Sequence, residues 1–129
     1  MKASSSPTDV EAPTDDGVVV DVVSEGGVLY LELANLADRP AVNVSCKFEP
    51  SLVDIDGRDV SELALFRRLH FLAPRRRIRT LLHSTEGFFA REQPGRVTVA
   101  VEYERPDAPR QTTQIVHDLE VFRQLAYLA

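Results

Sequence analysis

The sequence predicts an all-β fold: an immunoglobulin-like antiparallel β-sandwich of Greek-key type, with about seven strands. Three observations predict it. Several short stretches place apolar residues at every second position, the period of a strand with one buried face. Turn residues separate these stretches at about 8–12-residue intervals, the spacing of an all-β domain. No stretch carries the 3.6-residue apolar period of a convincing amphipathic helix, which argues against alternating β and α units. An immunoglobulin-like Greek key of about 100 residues fits the length. The single Cys and the absence of Trp rule out the disulfide and strand-borne Trp of antibody domains, so only the architecture carries over. A closed barrel is the alternative arrangement of the same strands.

Residues 1–16 are rich in Ser, Pro, Thr and Asp, have little to bury, and read as a disordered acidic tail. Residues 17–129 then form one sandwich domain. Gly17 opens Val18-Val19-Val20-Asp21-Val22-Val23, dense in β-branched residues and a natural first strand. Ser24-Glu25-Gly26-Gly27 is a turn into Val28–Phe48, the stretch around which the chain is organised. There Leu29, Leu31 and Leu33 alternate with Tyr30, Glu32 and Ala34, and Val42, Val44, Cys46 and Phe48 alternate with Asn43, Ser45 and Lys47. Asn35-Leu36-Ala37-Asp38-Arg39-Pro40 between them favours a reversal, so the pair reads as two strands around a short turn.

Glu49-Pro50 ends that pair, and Ser51–Asp59 is a turn-rich link. Ser61 and Glu62 suit a short helical turn through Leu65, followed by a strand in the second half of Phe66–Leu72. After the tight connection Ala73-Pro74-Arg75-Arg76, Ile78, Thr80 and Leu82 alternate with Arg77, Arg79 and Leu81. Thr85–Ala90 reads as a loop whose paired Phe88 and Phe89 plug one end of the core. Val97, Val99, Val101 and Tyr103 mark the clearest later strand, and Arg105–Pro109 its hairpin bend. The last strand runs from about Arg110 to Val116, with Asp118–Phe122 as a continuation. Arg123–Ala129 is either a strand tail or a short docking helix.

The net charge of −5 is unevenly placed. Asp9, Glu11, Asp15, Asp16, Asp21 and Glu25 face only Lys2 within residues 1–25, so the rest of the chain is balanced. Neither part has the overall positive field of a general nucleic-acid binder. Hydrophobic residues at 43% exclude general disorder. Cys46, the one cysteine, excludes an internal disulfide and a Cys-based metal site, and its apolar row favours core packing over a reactive thiol. No run approaches the roughly 18 apolar residues of a membrane helix. The first residues lack the apolar stretch of a secretory signal, and the expected location is the cytoplasm.

Leu31-Glu32-Leu33-Ala34-Asn35 through Pro40-Ala41-Val42-Asn43-Val44 resembles the "V-x-N-x-G-x-x-P-A-x-N-V" hairpin of bacterial immunoglobulin-like modules of the CARDB (cell-adhesion-related) type, with Asp38 or Arg39 where that family prefers Gly. Leu72-Ala73-Pro74 and Val97–Tyr103 look like later parts of bacterial proteins sharing that hairpin. The resemblance spans roughly residues 28–121 and implies a role in binding or spacing, with no catalytic residue.

Four groups of residues carry candidate chemistry. Asp54, Asp56 and Asp59 surround Gly57 as carboxylates can around calcium. However, the twelfth position of such a loop is Leu65 rather than Glu, Arg58 intrudes, and Asp and Gly are also plain turn residues. Arg67, Arg68, Arg75, Arg76, Arg77 and Arg79 form a basic cluster able to grip phosphates or an acidic protein surface. A solvated edge guarded by charge, or compensation by the acidic tail, explains the same residues. His70, His83 and His117 lack a second ligand at i+2 or i+4 and read as structural. His83-Ser84 are neighbours on a strand and so point apart, and neither a nucleophile elbow nor a phosphate loop occurs.

No enzyme and no cofactor is therefore implied. The expected function is a non-catalytic protein-interaction or accessory module whose partner is another protein or assembly. Leu125–Ala129 offers a partner or homo-oligomer contact if exposed. The alternative is an electrostatic binder of nucleic acid or an anionic surface through Arg67–Arg79, with nucleic acid disfavoured by the overall charge.

Overall fold

A computed structural model describes residues 10–11 and 16–128 of the chain. Its strands are β1 (Val10–Glu11), β2 (Val18–Glu25), β3 (Val28–Asn35), β4 (Ala41–Glu49), β5 (Leu69–Leu72), β6 (Arg77–Ser84), β7 (Arg96–Glu104) and β8 (Gln111–Asp118). Two sheets result, in the orders β1-β8-β7-β4-β5 and β2-β3-β6. All pairings are antiparallel except that of the two-residue β1, which runs parallel to β8. The fold is an all-β sandwich. Of the segment expected as a tail, Val10–Glu11 is thus a strand, while residues 1–9 and 12–15 lie outside the described residues.

The period-two rows fill the space between the sheets. Val18, Val20, Val22, Leu29, Leu31, Leu33 and Leu82 come from one sheet. Val44, Cys46, Phe48, Leu72, Val97, Val99, Val101 and Tyr103 come from the other. Each fully buried Leu or Val contributes about 1.5–3 kcal/mol relative to exposure. Side chains of β8 close one open side: Thr113 Oγ1 and His117 Nε2 donate to Val18 O and Val20 O on edge strand β2. Gly26 and Gly27, at φ +60° and +79°, supply the two left-handed residues of the tight β2–β3 turn.

Three expectations are corrected. β3 and β4 form where predicted but do not pair: β3 lies between β2 and β6, β4 between β7 and β5. Their connection is a strap from one sheet to the other. Buried Asn35 fixes it, its Nδ2 donating to the carbonyls of Arg39, Leu72 and Ala73 and its Oδ1 accepting from Ala37 N. Thr85–Ala90 is a helix (α2) rather than a loop, because Ser84 Oγ accepts from Gly87 N as an N-cap. Phe88 is buried beneath it, with the Phe89 ring edge-on at 5.1 Å. The last strand ends at Asp118, whose Oδ1 accepts from Glu120 N, and Glu120–Leu128 is a helix (α3). Side chains beyond residue 124, including Leu125–Ala129, lie outside the described residues.

Between β4 and β5 the chain makes a short 3₁₀ turn, Val60–Glu62, and a one-turn helix α1, Ala64–Arg67. Phe66 of α1 is buried, its ring edge-on to Phe48 at 5.1 Å. That contact pins α1 beside β4 and decides where the next two residues point.

Candidate functional site

The basic cluster is divided by the fold. Arg77 and Arg79 stand on β6, an edge strand of the smaller sheet, with their side chains on its outer face. Arg77 pairs with Glu32 at 3.0 Å, and Arg79 pairs with Glu25 at 2.7 Å and Glu32 at 3.3 Å. The Arg79 guanidinium also lies 4.8 Å from the Tyr30 ring centroid. Arg75, at φ 61°, turns the chain between β5 and β6 and binds Asp38 Oδ1 and Leu36 O at 2.8 Å each. Arg76 is exposed at the same turn, its carbonyl accepting from Asn35 N. These four tie the turn and the smaller sheet to their neighbours.

Arg67 and Arg68 go elsewhere. Helix α1 ends at Arg67 and Arg68 is extended (φ −170°, ψ 115°), so two sequence neighbours reach the same hollow. It is an open hollow of about 320 Å³ lined by Asn43, Ser45, Arg67, Arg68, Glu104 and Arg110. Arg110 is held by Glu104 at 3.0 Å and Glu102 at 3.4 Å. Among the described residues Arg67 and Arg68 have no acidic partner.

A β-bulge shapes this place. Between the pairs Val42↔Glu104 and Ser45↔Glu102, β4 has two residues where β7 has one. Asn43 absorbs the extra length at φ 50°, a conformation Asn tolerates better than most residues. Its Nδ2 donates to Glu104 Oε1 at 3.2 Å and its carbonyl accepts from Arg110 Nη1 at 3.3 Å. The bulge also brings Val42, read from the sequence as inward, onto the outer face opposite Glu104. Phe71 pairs with Val42 there and is 58% exposed.

A family described as Domain of unknown function (DUF8453) matches residues 6–123. The chain belongs to that family. No curated protein matches it, and no solved structure does.

The other candidate groups of this DUF8453 domain have structural duties. Asp54 is buried, and its carboxylate accepts from Asp56 N, Arg58 N and Arg58 Nε. Asp59 caps the 3₁₀ turn, accepting from the amide and hydroxyl of Ser61, and these bonds lower its pKa. Asp56 pairs with Arg58 at 3.4 Å. Asp54, Asp56 and Asp59 thus stabilise a turn, and among the described residues no three His, Cys, Asp or Glu are placed to hold a metal ion. Cys46 is buried, and desolvation pushes its thiol pKa up to about 12. His70 is exposed, His83 is buried beside α2, and His117 bonds Val20 O. Sequence reasoning missed Asn43, Ser45, Glu104 and Arg110, because only folding brings their separate segments together. Among the described residues no helix is long and apolar enough to cross a membrane.

Proposed function

We propose that this domain is a non-catalytic, immunoglobulin-like interaction module that meets a protein partner through the outer face of its larger sheet. One observation carries the reading: Arg67 and Arg68, without acidic partners among the described residues, stand on the face where Phe71 is exposed. Arginine and aromatic residues dominate the energetics of protein interfaces, and an exposed aromatic beside unneutralised guanidinium groups has that composition. The three-and-four division of the principal strands, with chain crossings between sheets, supports the immunoglobulin-like comparison. The resemblance of Leu31–Asn35 through Pro40–Val44 to CARDB-type modules, whose roles are binding or spacing, adds to it in sequence alone, because β3 and β4 do not pair as a hairpin.

The alternative, electrostatic binding of nucleic acid through Arg67–Arg79, gains less from the geometry. Three of its six arginines are held by Asp38, Glu32 and Glu25 away from the hollow. Single-strand binding also relies on stacking platforms along a basic groove, and Phe71 alone is a poor one.

The test is quantitative affinity capture from the native host with wild-type protein, Phe71→Ser and Arg76→Ser. A partner lost with Phe71→Ser and retained with Arg76→Ser supports the reading. Identical capture by all three proteins refutes it.

A further inference from the structure

We infer that the hollow between α1 and the β4 bulge is a carboxylate-binding site, which receives an acidic side chain from an extended segment of the partner protein. This rests on the interaction-module reading and gives it a ligand chemistry.

Arg67, Arg68 and Arg110 line the hollow with Glu104, and Glu102, outside the lining, pairs with Arg110; with both acids counted, one net positive charge remains. Arg110 is already committed to both carboxylates, so the free binding capacity belongs to Arg67 and Arg68. A guanidinium fork matches a carboxylate in a two-bond geometry. A single carboxylate balances the surplus, whereas a phosphate dianion or a nucleic-acid backbone would crowd negative charge against Glu104. Ser45 completes the set with a hydroxyl that makes no side-chain hydrogen bond among the described residues.

Asn43 is held in its left-handed conformation by the bulge, its amide is fixed on Glu104, and Arg110 is bound to the Asn43 carbonyl. The floor is therefore set before a ligand arrives, and non-Gly residues held at positive φ recur at functional sites. Buried Phe66 fixes the backbone of α1, from whose end the exposed Arg67 and Arg68 side chains extend. The exposed Phe71 gives a neighbouring apolar residue of the same partner segment a place to rest.

Three fluorescein-labelled decapeptides on a shared Gly-Ser frame provide the test. Each carries one Leu flanked by two Glu, two Gln or two phosphoserines, and binding is read by fluorescence anisotropy and by amide shifts in NMR spectra. The Glu peptide is expected to bind, to move the Asn43 and Ser45 amides, and to lose about tenfold in affinity with Arg67→Ala or Arg68→Ala. Arg76→Ala should leave binding unchanged. Equal binding of the Glu and Gln peptides, or indifference to both arginine substitutions, overturns the inference. So does a preference of more than about tenfold for the phosphoserine peptide, which would make the site a phosphate reader. If the Glu peptide fails while Phe71→Ser still abolishes partner capture, the carboxylate site is refuted and the interaction module stands. If neither responds, both readings fall.

Discussion

Arg105 Nη2 donates to Asn35 Oδ1 at 3.2 Å, joining two buried residues 70 positions apart in the chain. The same guanidinium donates to the carbonyls of Asp16, Arg39 and Pro40 and lies 5.1 Å from the Tyr103 ring centroid. Asn35 and Arg105 together hold the β3–β4 strap, the approach to β2 and the start of the β7–β8 turn. A buried cation surrounded by carbonyl oxygens replaces its lost hydration with those bonds, and removing it leaves their acceptors unpaired.

Arg105→Met should therefore lower unfolding free energy by about 3 kcal/mol, seen as a reduced urea midpoint at unchanged m. Asn35→Ala should be similarly costly. The double variant should fall short of the sum by about 1 kcal/mol or more, because each substitution removes the same bond. Strict additivity would mean that the two residues act independently.

Gly87 predicts a packing conflict. A Cβ there would clash with His83 Cε1 and lie 2.6 Å from Ser84 Oγ, the N-cap of α2. Gly87→Ala should cost about 1–3 kcal/mol, as overpacking does. His83→Ala in the same chain should recover part of that loss, because it clears the closest contact. It also removes buried Nε2, which has no hydrogen-bond partner among the described residues. Thermal denaturation of the two single variants and the double variant measures the recovery.

Asp59 ties stability to acid. The Ser61 hydroxyl, and then the Ser61 amide, hold its folded-state pKa below the ordinary carboxylate value. A depressed folded pKa contributes stability above the unfolded pKa, and that contribution is lost as pH falls through the folded value. Asp59→Ala should cost about 1 kcal/mol at neutral pH, as loss of a cap does. Its difference from wild type should shrink as the carboxylate is protonated. Urea titrations at neutral and acidic pH test both statements, and a constant difference would contradict the second.

Cys46 should resist alkylation. With its pKa at about 12 and its sulfur in the core, the native protein holds almost no thiolate at neutral pH. Iodoacetamide labelling followed by mass spectrometry should show negligible modification until denaturant unfolds the chain. Rapid native labelling would place the thiol at the surface.

The strands were legible in the sequence because alternation is a local property. Leu29, Leu31 and Leu33 point inward wherever the sheet partner comes from. Partner choice was not legible, since the polar side chain that aims the strap, Asn35, works through carbonyls contributed by Leu72 and Ala73. Helix α2 escaped notice because it is six residues long and depends on a cap rather than on a periodic face. The arginine run was visible as charge, but its division depends on Phe66 pinning α1 and on acids brought in from Glu25, Glu32 and Asp38. The hollow drew on four separate segments and left no local signature.

The strap between β3 and β4 has a consequence for how the chain assembles during synthesis. Leu29–Leu33 lies in the centre of a sheet whose third member, β6, starts only at Arg77, so a nascent chain must carry a half-covered apolar ribbon until that strand emerges. Topologies that join distant segments in this way fold slowly, on the order of milliseconds to seconds, and expose unpaired edges meanwhile. In this protein the hazard lies in the interval between translation of the two halves, when chaperone protection would matter most.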